Sequence, residues 1–314
     1  MASKKTAKII LILIFAFLFC TAATWADIEK EVNRDFDVKP GGTLLIDSDR
    51  GSIEIQTSES DKVEVRILLT ARTSRESRAE EIFEDFSLDF EQDGDNIKIQ
   101  GDYSRNSGWF SSNNNKLRVE FLVRIPEKFN VDLETGGGSI YVDNLEGTVR
   151  ANTSGGSMKF NHIKGPVDAR TSGGSISLKS CEGMADVRTS GGSIDIGQVD
   201  GEVLAKTSGG SISVDEVKGS IDASTSGGSV RAQISDQPGA DCRLSTSGGS
   251  VTVSLARDVA VDIDARTSAG RVESDFKVEM HGRYSRSSLR GKINGGGPQL
   301  YLRTSAGNIY VNEI

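Results

Sequence analysis

The hexapeptide Thr-Ser-Gly-Gly-Ser-Ile begins at Thr171, again at Thr189 and again at Thr207. Close variants extend the series. Threonines stand at Thr135, Thr153, Thr171, Thr189, Thr207 and Thr225, each 18 residues after the last. Two steps of 21 lead to Thr246 and Thr267, and one of 37 leads to Thr304. Five identical steps do not arise by chance. A fixed short period makes each unit one supersecondary element that buries its apolar face only against its neighbours.

The unit from Gly156 to Gly173 shows what that element is. Met158 and Phe160 alternate with Ser157 and Lys159; beyond Gly165, Val167, Ala169 and Thr171 alternate with Asp168 and Arg170. A period of two means strand with one face buried. Each unit therefore carries two short strands with a glycine-bearing turn on either side. A long antiparallel meander would leave a one-sided apolar sheet, and no second layer is written here to cover it. A coil encloses its own apolar face, and stacking coils sets like residues over one another at about 4.8 Å. The expected fold is thus all-β, a parallel β-solenoid of ~18-residue coils, each stacked on the one before it in the chain.

Its core is narrow, in keeping with an aromatic content of 6% and 35 glycines. Inward positions fall to Ile176, Leu178 and Val187, to Ile194, Ile196 and Val203, and to Ile212, Val214 and Ile221, with a small alanine at Ala151, Ala169, Ala205 and Ala223. The corner is assigned to Thr153, Gly155 and Gly156; Thr171, Gly173 and Gly174; Thr189, Gly191 and Gly192; and Thr207, Gly209 and Gly210. The threonine hydroxyls are expected to bond to one another or to turn backbone, and the glycine pairs to supply backbone angles that a β-carbon resists. Serines 157, 175, 193, 211, 229 and 250 form an outward ladder. Cys181 and Cys242 point inward three coils apart, about 14 Å at strand spacing. A disulfide needs Cα atoms within about 7 Å, so no bond is expected.

The flanks differ. Residues 1–26 have Lys4, Lys5 and Lys8, an apolar run from Ile9 and a small-residue end at Ala26, the layout of a secretory signal peptide. The alternatives are an uncleaved anchor, which would tie the chain to the membrane, and a lipoprotein signal at Cys20, where Phe19 is bulky. Without those residues the charge changes from −8 to 34 − 45 = −11. An acidic surface repels phosphate backbones, which excludes nucleic acid as a partner. Residues 27–134 are expected to form strands, a helix with Ile82, Phe83 and Phe86 on one face, and a hairpin about Asp93-Gly94, together covering an open strand edge. The repetitive solenoid then runs over 135–314. Trp109 and Phe110, in the polar stretch 104–115, are the local candidates for stacking on a sugar or pressing into a partner. Arg283, Arg286 and Arg290 lie in a break near the far end and read as solvated loop charge.

No catalytic set is visible. The two histidines, His162 and His281, fall in different units, and no G-x-S-x-G, H-E-x-x-H or C-x-x-C occurs. Asp168, Asp186 and Asp222 recur as an outward stripe two residues before Arg170, Arg188 and Ser224, which spreads the carboxylates over a flat wall where glycoside hydrolysis needs them gathered in a cleft. Calcium β-rolls need G-G-x-G-x-D, whereas isoleucine stands here at the glycine that should follow x. No cofactor and no metal are expected.

The stretches FDVKPGGTLLIDSDRGSIEI and VRIPEKFNVDLETGGGSIYVDNLEGTV, the TSGGSI units and the closing GKINGGGPQLYLRTSAGNIYV resemble the bacterial adhesin-type repeat domains (domain-of-unknown-function family 4097). The match runs from about Asp35 to the C-terminus. The resemblance implies an exported, right-handed β-solenoid without a recognised active site, located in the periplasm or at the cell surface. It implies a non-enzymatic protein whose repeated faces bind a protein or polysaccharide surface. The alternative is a periplasmic scaffold or envelope-stress sensor that binds a membrane-protein partner.

Overall fold

The structure, a computed structural model, describes residues 27–103, 116–280 and 285–314. Almost every regular element among them is a strand, and the strands fall into two sheets of fourteen. Each 18-residue unit lays one strand in each sheet. Strands such as Val167–Thr171 and Ala185–Thr189 end on the repeated threonine and form what we term the Thr sheet; strands such as Met158–Lys164 and Ile176–Glu182 follow the Gly-Ser corner and form the Ser sheet. Pairing through the repeats is parallel, residue i with residue i+18: Val167 with Ala185, Asp168 with Asp186, Met158 with Ile176. The alternation along each strand is thereby copied into straight inner columns, such as Ile176, Ile194 and Ile212. The inward residues of a unit are buried, among them Ile176, Leu178, Cys181, Ala185 and Val187. Asn161 and His162 both face outward before Ile163 returns to the core, so the Ser-sheet strand bends there.

The glycines act differently from expectation. The left-handed angles occur at the turn between the two strands of a unit, at Gly165 (φ 150°) and Gly183 (φ 140°), and not at the Gly-Gly pairs. At those pairs the constraint is the close approach of the neighbouring unit. A β-carbon on Gly192 would lie 2.2 Å from the carbonyl oxygen of Gly174, whereas one on Gly155 would meet nothing within 4 Å. The second glycine of each pair is therefore obligatory, whereas the first is open at Gly155 and tightens along the stack, where a β-carbon on Gly191 would meet a backbone oxygen at 3.2 Å and one on Gly227 at 2.8 Å. Alanine takes that first place at Ala269 and Ala306.

Both ends depart from simple succession. At the N-terminal end, Thr43–Ser48 lies between Asn96–Tyr103 and Asn130–Thr135, and Ser52–Ser58 between Leu117–Pro126 and Ile140–Val142. At the C-terminal end, Gln299–Thr304 lies between Cys242–Thr246 and Val261–Thr267, and Ile309–Glu313 between Val251–Leu255 and Val272–Ser274. The last unit in the chain is thus not the last in the stack. The chain passes over one position, builds the outer unit, turns back through Ser288–Ile293 and fills the position it left. The 37-residue interval from Thr267 to Thr304 is the length of that excursion.

The N-terminal edge is closed by apolar bulk. Ile28–Asp37, Lys62–Ala71 and Leu117–Pro126 pair antiparallel on the Ser sheet, and Phe86–Asp93 pairs antiparallel with Asn96–Tyr103 on the Thr sheet about Gly94 (φ 60°). The helix Glu76–Glu84 buries Ala79, Ile82 and Phe83. Phe36 and Phe90, from the two sheet edges, meet with ring centres 6.4 Å apart. Cys181 and Cys242 are both free and buried. Burial, opposed by one backbone hydrogen bond, pushes the Cys181 thiol up from 9.0 to about 11.

Candidate functional site

The repeated corner shows what its residue types do. Thr189 is buried; its Oγ1 donates to the carbonyl of Gly174 in the preceding unit at 2.7 Å and accepts from the amide of Gly192 at 3.3 Å. Thr153 and Thr171 make the same two bonds, and the hydroxyl of Thr207 donates to Gly192 at 2.8 Å. Of the two expected partners, the hydroxyls take turn backbone. One threonine oxygen thus ties its own corner to the one beneath, and these residues form the inner wall. The serine after each Gly-Gly pair continues the system on the outside. The amides of Ser175, Ser193, Ser211 and Ser229 donate to the hydroxyl oxygens of Ser157, Ser175, Ser193 and Ser211, at 3.1 to 3.3 Å. The ladder satisfies corner amides and leaves each hydroxyl free to donate to another group.

The outer Thr-sheet wall carries the charge stripe. Arg170 lies 3.1 Å from Asp168 and 3.6 Å from Asp186, Arg188 lies 2.8 Å from Asp186, and Lys206 lies 3.7 Å from Asp222. Acid and base are matched through these units, so the wall is close to neutral, and each exposed pair contributes under about 1 kcal/mol. On the bend of the Ser sheet, His162 Nδ1 meets the hydroxyl of Ser180 at 2.7 Å. Both groups are on an open surface. One unit further, hydrogen bonds from Gln198 and Ser235 hold the Glu216 carboxyl below its usual pKa. Among the described residues no three His, Cys, Asp or Glu side chains gather closely enough to hold a metal ion, and no helix is long and apolar enough to cross a membrane.

Trp109, Phe110 and Arg283 lie outside the described residues. Arg290, read from sequence as loop charge, sits in the strand Ser288–Ile293 and donates to Asp264 at 2.9 Å. Asp264 also holds Arg266 at 3.2 Å and Arg303 at 3.0 Å, and the guanidinium groups of Arg243 and Arg303 both rest against Tyr301, 5.4 and 5.8 Å from its ring centre. Reading the sequence missed this group. Its members are spread from Arg243 to Arg303, and they meet because the last strand is inserted between two earlier ones. An arginine directly before the repeated threonine, at Arg266 and Arg303 as at Arg170 and Arg188, was the signal available.

Three crystal structures are similar to the chain in outline. A putative adhesin from Bacteroides fragilis NCTC 9343 has 13% identity, covers 91% of this chain and 97% of its own, and superposes with a TM-score of 0.39. A putative adhesin from Parabacteroides distasonis ATCC 8503 has 10% identity over 91% and 97%, with a TM-score of 0.35. A putative cell adhesion protein from Clostridium sporogenes ATCC 15579 has 15% identity over 91% and 100%, with a TM-score of 0.22. No curated protein matches the chain. The sequence profile of the Toastrack family, DUF4097, matches residues 43–312, from the first Thr-sheet strand to the last Ser-sheet strand, and the chain belongs to that family.

Proposed function

We propose that this protein is an exported, non-enzymatic binding rod of the cell envelope, an adhesin-type protein whose ligand lies along the outer faces of the stack. In this reading a leader occupies residues 1–26, an end-closing region 27–134 and the repetitive part 135–314. The coils wind right-handed, the hand seen in nearly all parallel strand connections. The observation that carries the reading is the i to i+18 register. It sets one outward side chain per unit on straight lines about 4.8 Å apart, backed by corners whose hydroxyls and amides are bonded to one another. Such a surface is stiff, and a repetitive partner meets the same groups at each step. The ionisable groups of the repeats support a binding role over a catalytic one, because they are spent on one another in pairs along an open wall and do not converge on a cleft.

The test is location, followed by capture. Protease added to intact cells is expected to digest the protein, and antibody to the repeats to label the cell surface. Protection in intact cells that is lost when the envelope is permeabilised would overturn the surface reading and favour a periplasmic scaffold, whose membrane-protein partner crosslinking would recover.

A further inference from the structure

We propose that the far end of the Thr sheet is a binding site for a ligand carrying two neighbouring phosphate groups. The inference deepens the binding-rod reading, and rests on it, by naming a ligand class and a place.

The charge balance of the middle units is lost at the far end of the wall. In the middle units each base has its own acid: Arg170, Arg188 and Lys206 against Asp168, Asp186 and Asp222. At the end, four arginines, Arg243, Arg266, Arg290 and Arg303, gather about one bonded carboxylate, that of Asp264. Asp222, the register neighbour of Arg243, is within ion-pair distance of Lys206 and not of Arg243. Arg243 has no acidic partner among the described residues; its guanidinium rests on Tyr301. These four arginines face one bonded carboxylate, while the nearby Asp241 and Asp262 accept from Gln299 instead, on a chain whose formal net charge is −8.

The excess is held in a costly arrangement. Arg266 and Arg303 are direct register partners on adjacent parallel strands, as Arg170 and Arg188 are, and like charges side by side on a sheet repel; Arg170 and Arg188 each have an aspartate two residues before them on their own strand, whereas Arg266 and Arg303 share Asp264. In the middle units each base has its own aspartate; here three arginines share one, and a local departure of this kind marks a place for function. The side chain of Asp264 is 13% exposed, whereas those of Arg266, Arg290 and Arg303 are 45%, 53% and 37% exposed. The half-buried carboxylate thus holds three guanidinium groups that remain partly open to solvent. Tyr301 keeps both Arg243 and Arg303 against its ring.

Fixed, planar, always-charged forks suit the paired oxygens of phosphate. One carboxylate monoanion cannot balance the surplus. From the strand of Arg243 to that of Arg290 there are three strand spacings, about 14 Å, which is wider than one phosphate and accommodates two. The same chemistry reaches the site either as a soluble diphosphate or as phosphate headgroups crowded on a membrane.

Inorganic pyrophosphate titrated into the purified full-length protein by calorimetry, at low and high salt, tests the proposal. Binding is expected to weaken as salt rises and to fall at least tenfold in the double variant Arg243→Gln/Arg303→Gln. Lys159→Gln, on the Ser sheet, is expected to leave it unchanged. Arg290→Gln, on an exposed side chain, gives a severalfold loss in a variant whose thermal unfolding matches the parent, which guards against loss through misfolding. Co-sedimentation with vesicles of phosphatidylglycerol in phosphatidylcholine separates the sources. Capture by vesicles that the double variant abolishes assigns a membrane headgroup, and binding of pyrophosphate without vesicle capture assigns a soluble diphosphate. If the parent binds neither probe, or if the arginine variants bind both as well as the parent does, the proposal is wrong. These assays use purified protein, so they fail independently of the cell-surface experiment.

Discussion

Between Val149 and Ile234 each unit lies on the unit that precedes it in the chain, whereas at both ends that succession is broken. In the middle, neighbours in space are 18 residues apart in sequence. At the C-terminal end, Cys242–Thr246 pairs with Gln299–Thr304. The two regions bury the same kinds of side chain and use the same corner: Thr304 bonds Gly249 as Thr189 bonds Gly174. They differ in what a missing piece would do. A middle unit has equivalents on both sides and contributes mainly nearest-neighbour contacts. The last unit is held by ladders on both flanks, so it acts as a lock that joins the outermost unit to the rest. Interleaving protects a terminus that would otherwise fray at an open strand edge. The closing materials differ as well: Phe36, Phe83, Phe86, Phe90, Phe121 and Phe129 concentrate at the N-terminal end, and the stacked middle has Phe160. Large rings fill irregular space where strands cross and pack on a helix, while a column of identical sites at strand spacing is filled by aliphatic residues.

The sharpest way to break this comparison is by deletion. Removing residues 298–314 takes away the fully buried Leu300, Leu302, Ile309 and Val311 and leaves an empty position between two units. At about 1.5–3 kcal/mol for each side chain the loss exceeds about 6 kcal/mol, a large part of a domain's stability. We expect loss of the cooperative urea transition. Excising residues 174–191, one whole middle unit, keeps register and corner chemistry, and the transition should survive. Equal damage from both deletions would remove the distinction between lock and link.

Next in size is the corner. Gly192→Ala forces a β-carbon to within 2.2 Å of a backbone oxygen and is expected to lower stability by about 2–4 kcal/mol. Gly155→Ala meets open space and should change stability by no more than about 1 kcal/mol, with stabilisation the favoured direction because the unfolded chain loses freedom. Thr189→Val keeps the shape and removes the bridging hydroxyl between Gly174 and Gly192, an expected loss of about 1–2 kcal/mol in chemical denaturation.

Smaller effects follow from titration and surface charge. The Cys181 thiol is raised in the folded state, so the folded chain holds its proton more tightly than the unfolded chain does. The stability this contributes is complete below about pH 9 and is lost as pH rises toward about 11. Cys181→Val should flatten that part of the stability–pH curve, and alkylation of the native protein at neutral pH should be slow. Lys206→Ala, which removes half of an exposed pair, is expected to cost under about 0.5 kcal/mol and to lose its effect in high salt.

Much of the middle was legible in the sequence. Alternation set Ile176, Leu178 and Val187 inward, and the strict period called for parallel stacking and placed Cys181 and Cys242 inside and unpaired; all of this is found. The reason for each glycine was less legible. Steric demand at Gly192 comes from the carbonyl of the unit beneath, which is a neighbour in space alone. A hint was present, since Ala269 and Ala306 replace the first glycine of the pair and nothing in those units replaces the second. The group about Asp264 was not legible, because strand alternation says that Arg266 and Arg303 face outward and is silent on which strands adjoin.

By itself, the sequence determined the period, the face that each side chain takes and the chemistry of the corner, because these depend on alternation along one strand and on contacts between units 18 residues apart. The tertiary structure alone decided the order of strands at the two ends and, through it, which charges share a surface. Every unit offers nearly the same edge to its neighbours, so several orders satisfy the local rules, and the choice among them falls to the connecting segments and to the whole of the buried core.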